Sequence, residues 1–306
     1  MRRLVALVLL CSLALPTLRP AIAQETFKTP DAAADALASA ARNNDRAAIL
    51  NVLGREGADI ASSGDPVADS AIRTKFVETY DAKHQVKMDG DAKAALIIGS
   101  DDFPFPIPLI RKGDSWQFDT AAGRQEILAR RIGRNELDAI QSSLAYVDAQ
   151  NEYADKDRTS AGAGVYAQRI VSETGRKNGL YWPSSASGDE SPLGELVAEA
   201  AQQGYRVGEG RAPYHGYYFK ILTKQGPDAH GGALDYVVNG KMLGGFALVA
   251  YPAEYRNSGV MTFIVNHEGV VFQKDLGPRT AELAERMTAF NPDSSWTKVT
   301  DTEPVR

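Results

Sequence analysis

Thiols are nearly absent from this chain. Its one cysteine, Cys11, lies within the first 23 residues. There Arg2-Arg3, an apolar run from Leu4 to Leu18 broken by Pro16, and Ala21-Ile22-Ala23 form the pattern of a secretory signal peptide cut before Gln24. Leu10 is not the small residue that a lipid-anchor signal wants ahead of its cysteine. Residues 24–306 are therefore expected to be periplasmic or secreted, with no disulfide, thiol nucleophile or thiolate metal site. Long apolar runs are also missing past the leader, so no membrane span is expected after cleavage. Cations are the minority, 34 Lys+Arg against 39 Asp+Glu, and loss of Arg2, Arg3 and Arg19 leaves 31 against 39, a net charge of −8. Such a chain repels phosphate backbones, which argues against nucleic acid as a partner. Its one basic cluster, Arg124 with Arg130, Arg131 and Arg134, reads as the solvated face of a helix.

Histidine is scarce as well. His84, His215, His230 and His267 never stand three or four residues apart, so no helix presents a zinc pair. Neither a G-x-S-x-G elbow nor a Walker loop occurs. The run Gly162 to Ala167 fits G-x-G-x-x-A, but the polar stretch before it, Asp155 to Ser160, is no buried strand. No metal and no cofactor is expected.

What is present reads as α+β. Thr29-Pro30-Asp31 starts a helix carrying Ala33, Leu37, Ala40 and Ala41; a second carries Ile49, Val52 and Leu53; a third carries Ile72, Phe76 and Tyr80. Strands then flank the turn Asp89-Gly90-Asp91. Pro104, Pro106 and Pro108 confine the next segment to an edge or loop, and Trp116 and Phe118 share one face of a last strand. Helix is expected again from Ala121 to Ile132 and, past Gly133, from Asn135 to Ala154 with a seam of Leu137, Ile140, Leu144 and Val147. The break at Gly133 sets the expected boundary between domains 24–133 and 134–306. Short helices follow at Val165 to Ser172 and after Ser191-Pro192, then strands at Tyr217–Thr223, Phe246–Tyr251, Met261–Asn266 and Val270–Lys274, and a final helix, Thr280 to Phe290. Short turns between those strands require antiparallel pairing.

Few residues suggest chemistry. His215, among Tyr214, Tyr217 and Tyr218, enters a strand where it could meet a carboxylate and act as a base. Glu254 and Asp275 bracket the central strands at one sheet rim and are the candidate carboxylates, for acid/base work or a cation. Tyr181, Trp182, Tyr214, Tyr217, Tyr218, Tyr251 and Tyr255 are dense enough to line a ligand pocket and equally suited to filling a β core.

Four motifs carry a family resemblance: Asn178 to Pro183, Pro213 to Tyr218, Ala250 to Tyr255 and Phe272 to Gly277. Together they resemble exported bacterial proteins grouped as domain of unknown function 2950. That resemblance implies an exported or envelope location and a shared fold, but no activity. Residues 29–120 are similar in architecture to cystatin-like and nuclear-transport-factor-like (NTF2-like) cones, whose mouths hold small ligands. Residues 135–280 resemble type II pseudopilin soluble domains, although the corresponding helix here is polar and preceded by another domain. The leading expectation is a non-catalytic envelope module binding another exported protein or a small ligand. Two alternatives stand beside it: a hydrolase or isomerase using His215 with Glu254 or Asp275, and a small-molecule carrier built around Phe76, Tyr80, Trp116 and Phe118.

Overall fold

A computed structural model describes residues 24–158, 162–183, 190–206 and 212–300. The expected signal segment, with Cys11, lies outside the described residues. Four helices come first: α1 (Pro30–Arg42), α2 (Arg46–Leu53), α3 (Ala58–Ala61) and α4 (Pro66–Ala82). Thr29, Asp45 and Asp65 cap α1, α2 and α4 by accepting backbone N–H groups, as their side chains and the prolines at two of the starts predict.

An antiparallel sheet follows, with β1 (His84–Asp89), β2 (Lys93–Ile98), β3 (Phe103–Pro104), β4 (Leu109–Lys112) and β5 (Ser115–Phe118). Its order is β1-β2-β4-β5, with β3 paired to β2. Asp89 opposes Lys93 across the expected turn, where Gly90 takes a φ of +70°. The proline-rich segment supplies only the two-residue β3. Leu37, Ile49, Leu53, Leu109, Trp116 and Phe118 are among the side chains buried between helices and sheet.

One helix, α5 (Thr120–Ala154), then runs for 35 residues. The break expected at Gly133 does not occur. Gly133 is solvent-exposed, and the penalty of one exposed glycine, about 1 kcal/mol, is outweighed by buried anchors on either side, Leu128 and Arg131 before it and Asn135 and Ala139 after it. The buried face also differs from the expected seam. Ile140 and Val147 are buried, but Leu137 is exposed, and Ser143, Tyr146, Gln150 and Tyr153 complete the face.

Residues 165–172, expected to be helical, instead form isolated bridges: Tyr166 pairs with Met242 and Val171 with Tyr181. Gln150 holds this segment by bonding both the N–H and the C=O of Ala167, so its backbone groups are satisfied without a helix. Helix α6 (Gly194–Gln202) follows, then β6 (Tyr217–Leu222), β7 (Lys224–Gln225), β8 (Leu234–Asp235), β9 (Val237–Val238), β10 (Lys241–Met242), β11 (Ala247–Pro252), β12 (Met261–Asn266) and β13 (Phe272–Asp275). The last helix, α7 (Thr280–Arg286), is shorter than expected. The chain turns into β14 (Ala289–Phe290), parallel to β7, before β15 (Thr297–Lys298). Lys220 receives the end of α7, donating to the Glu285 and Met287 carbonyls.

The second main sheet has the order β15-β13-β12-β11-β6, antiparallel throughout as the short turns require. All six residues of β11 are buried, and both α5 and α7 pack against it, so the strand is covered on both faces. The fold is α+β. Among the described residues no helix is long and apolar enough to cross a membrane.

Candidate functional site

His215 lies in the loop between α6 and β6 with a φ of +48°, a left-handed conformation uncommon for a side chain with a Cβ. Its ring is held from two sides. Nδ1 is 2.7 Å from Asp138 Oδ2 on α5, and Nε2 is 3.0 Å from Gln203 Oε1 at the end of α6. The rings of Tyr205 and Tyr214 flank it. The carboxylate that meets His215 is therefore Asp138, not Glu254 or Asp275.

The same loop is tied to the N-terminal half through Asp65. One carboxylate oxygen caps α4, accepting from the Val67 and Ala68 N–H groups. The other accepts from Tyr205 OH and the Gly216 N–H, both at 2.9 Å. His215 N–H in turn donates to Tyr205 OH. Burial, the Asp65 charge and the hydrogen bond to Asp65 push the Tyr205 phenol far above its ordinary pKa, outweighing the His215 N–H, which lowers it. Gly216 takes a φ of +75°, and a Cβ there would fall 2.5 Å from Asn135 Nδ2, so both backbone conformation and space demand glycine.

Further along α5 the seam continues. Arg131, expected on a solvated face, is 4 % exposed. It donates to the carbonyls of Asp59 and Ile60 and to Asn257 Oδ1, and burial lowers its pKa. Asn135 donates to the Ser258 carbonyl, and Glu136 accepts the N–H groups of Val260 and Met261. Asn257 reaches back to the Ser62 carbonyl and to Glu254. These bonds make a polar joint from α5, the α3–α4 loop and the β11–β12 turn. Arg124 pairs with Asp59 beside it.

Beside His215 lies a cleft of about 410 Å³ between α5, α6 and the β6 edge. Tyr146, Tyr205, Tyr214 and Tyr218 wall it, with Leu196 and Phe219 among its apolar lining. Burial, then the nearby Glu199 and Asp138 charges, push the Tyr214 phenol up to about 12.

The other expected residues sit elsewhere. Glu254 and Asp275 do share a sheet rim, because Asp275 pairs with Met261 at the start of β12 and Glu254 follows the end of β11. They do not form one site. Glu254 turns toward Asn257 and Gly64, while Asp275 accepts from Tyr255 OH and the Gly277 N–H. Tyr217 and Tyr251 are fully buried in the sheet core, and Trp182 is buried beneath Arg158. Tyr181 is half-buried on its bridge to Val171. None of these lines the cleft, which uses Tyr214 and Tyr218 instead. In the N-terminal half, Phe76 lines a second cavity, whereas Tyr80, Trp116 and Phe118 are core. The glycine-rich loop around His230 is pinned by a 2.7 Å contact to Glu268. Asp138, Gln203, Tyr205 and Asp65 escape sequence reasoning, because their positions, 65 to 205, offer no spacing that joins them.

Over residues 24–299 the chain matches the family described as protein of unknown function (DUF2950). It belongs to that family. The match covers all four motifs that carry the resemblance. No curated protein and no solved structure matches the chain, and the expected likenesses to cone folds and pseudopilins are not shown.

Proposed function

We propose that this DUF2950 member is an exported, non-catalytic binding protein of the cell envelope, whose tyrosine-walled cleft takes a small, largely apolar ligand. The cleft itself carries the reading: about 410 Å³, lined mainly by apolar side chains and tyrosine rings. His215 supports binding over catalysis, since both its ring nitrogens already meet side-chain oxygens. Export is supported by the leader pattern and by a family match that begins at residue 24. Indole and p-cresol serve as neutral probes of the mature chain. Both are expected to raise its melting temperature, because a ligand of the folded state stabilises by mass action. Leu196→Asp should abolish that rise. No rise in the unaltered protein, or an equal rise in the variant, counts against the cleft.

A second reading rests on the 2.7 Å Asp138–His215 contact and the positive φ of His215, since such backbone strain gathers at functional sites. Here the pair acts as acid/base in a hydrolase or isomerase, with Asp138 in the place expected for Glu254 or Asp275. Hydrolysis of p-nitrophenyl acetate is the simplest probe. Turnover lost in His215→Ala at unchanged melting temperature favours the enzyme; turnover that is absent or unaffected removes it.

A further inference from the structure

Helix α4 presents Ile72, Phe76 and Tyr80 at four-residue spacing, yet only Tyr80 is buried. Ile72 is 39 % exposed, and so is Phe103 across the gap at 38 %. Between them a cavity of about 360 Å³ opens in the N-terminal half, floored by Leu37, Ile49, Leu53 and Ile98 and closed on the α5 side by Ile127. An apolar helical stripe with space over it lacks the burial that would normally offset its hydration cost.

The charge around this cavity opposes that of the chain. Arg73, Lys75, Arg130, Arg131 and Arg134 line it, against one carboxylate, Asp69, in a protein of net charge −5. Both Asp69 oxygens accept the Ser63 N–H, and the Asp69 charge acts on buried Arg131. Arg73 donates to Asn44 and the Ala61 carbonyl. The Arg130 guanidinium lies over the Phe103 ring at 4.8 Å while its Nε pairs with Glu126. Lys75 and Arg134 are exposed and have no ion pair among the described residues.

We infer that this cavity binds a single-chain amphiphile with an anionic head, its tail along Ile72, Phe76 and Phe103 and its head at Lys75 and Arg134. The tail gains with each methylene removed from water. A cavity of about 360 Å³ lies within the size range that takes one small ligand. The cations at the mouth select against neutral and cationic heads. This inference concerns a different cavity from the tyrosine-walled cleft and does not depend on it.

Calorimetric titration of the mature chain with decanoate, decyl phosphate, decanol and decyltrimethylammonium, each below its micellar concentration, tests the inference. The two anions should bind, decanol about tenfold more weakly, and the ammonium not measurably. A preference for decanoate assigns the head to a fatty acid, and one for decyl phosphate assigns it to a phospholipid-derived head. The double variant Lys75→Glu/Arg134→Glu, altered at two exposed positions, should bring both anions down to the affinity of decanol. Ile72→Glu, also at an exposed position, should weaken all three ligands. Leu196→Asp in the other cleft should change none of them. Equal binding of decanol and decanoate, anion affinity unchanged in the double variant, or no binding by any probe at millimolar concentration would overturn the inference. Loss of decanoate binding in Leu196→Asp alone would overturn it too, by moving the ligand to the tyrosine-walled cleft.

Discussion

Helices α4 and α5 meet opposite fates in one molecule. Among the 17 residues of α4 only Pro66–Ala82's Asp69 and Tyr80 are buried, while α5 buries fourteen of 35. The surroundings explain the contrast. Helix α5 lies against β11 and β12, whose residues are almost all buried, and it bonds α3 and the β11–β12 turn. Helix α4 faces a sheet whose outer strand β1 has no fully buried residue, and it leaves space beneath Ile72 and Phe76. Buried side chains anchor α5 along its length, whereas α4 leaves Ile72 and Phe76 beside a cavity. A helix that is covered contributes stability, and one left partly uncovered is available to a ligand.

The sharpest test of this contrast compares two phenylalanines by denaturant unfolding. Phe263→Ala, in the core of β12, should cost about 3–5 kcal/mol, and Phe76→Ala, half-buried at the cavity, about 1 kcal/mol or less. Equal losses would break the comparison. Next comes Asp65→Ala, which strips the cap from α4 and leaves Gly216 N–H and Tyr205 OH unpaired in a buried place. A loss of about 3 kcal/mol is expected, and a value under 1 kcal/mol would show that the joint contributes little.

Gly133→Ala should have a smaller effect of opposite sign. Nothing lies within 4 Å of a Cβ at that position, so alanine should stabilise α5 by about 0.5–1 kcal/mol. A destabilised variant would mean that the helix needs its glycine. The least effect belongs to Tyr214. Its neutral form is favoured by the fold, with its pKa raised mainly by burial to about 12 from the ordinary value of about 10. That contribution is complete below the unfolded value and fades as pH rises through 12. Melting temperatures at pH 9 and 11 should therefore differ less in Tyr214→Phe than in the unaltered protein, and an unchanged difference would place the alkaline loss elsewhere.

Much of the fold is legible along the chain because it rests on local rules. Thr29 and Asp45 act as caps through their own neighbours, and Asp89-Gly90-Asp91 turns because glycine takes a positive φ there. The errors arise where distant contacts override local preference. Gly133 is bridged by packing on either side, residues 165–172 are drawn out by Gln150 and Met242, and the end of α7 yields to pairing between β14 and β7. The site was legible only in part. His215 stood out by its aromatic neighbours, but its carboxylate lies 77 residues away on a helix whose pattern spoke only of packing.

By itself the sequence determined family membership, the α+β class and a leader-like start followed by a thiol-free, anionic chain, because composition and short motifs carry these directly. Tertiary structure alone decided that Asp138 faces His215, that Arg131 is buried, and that Ile72 and Phe76 look into open space ringed by cations. Each of those depends on how far two elements stand apart once packed, and no spacing along the chain encodes that distance.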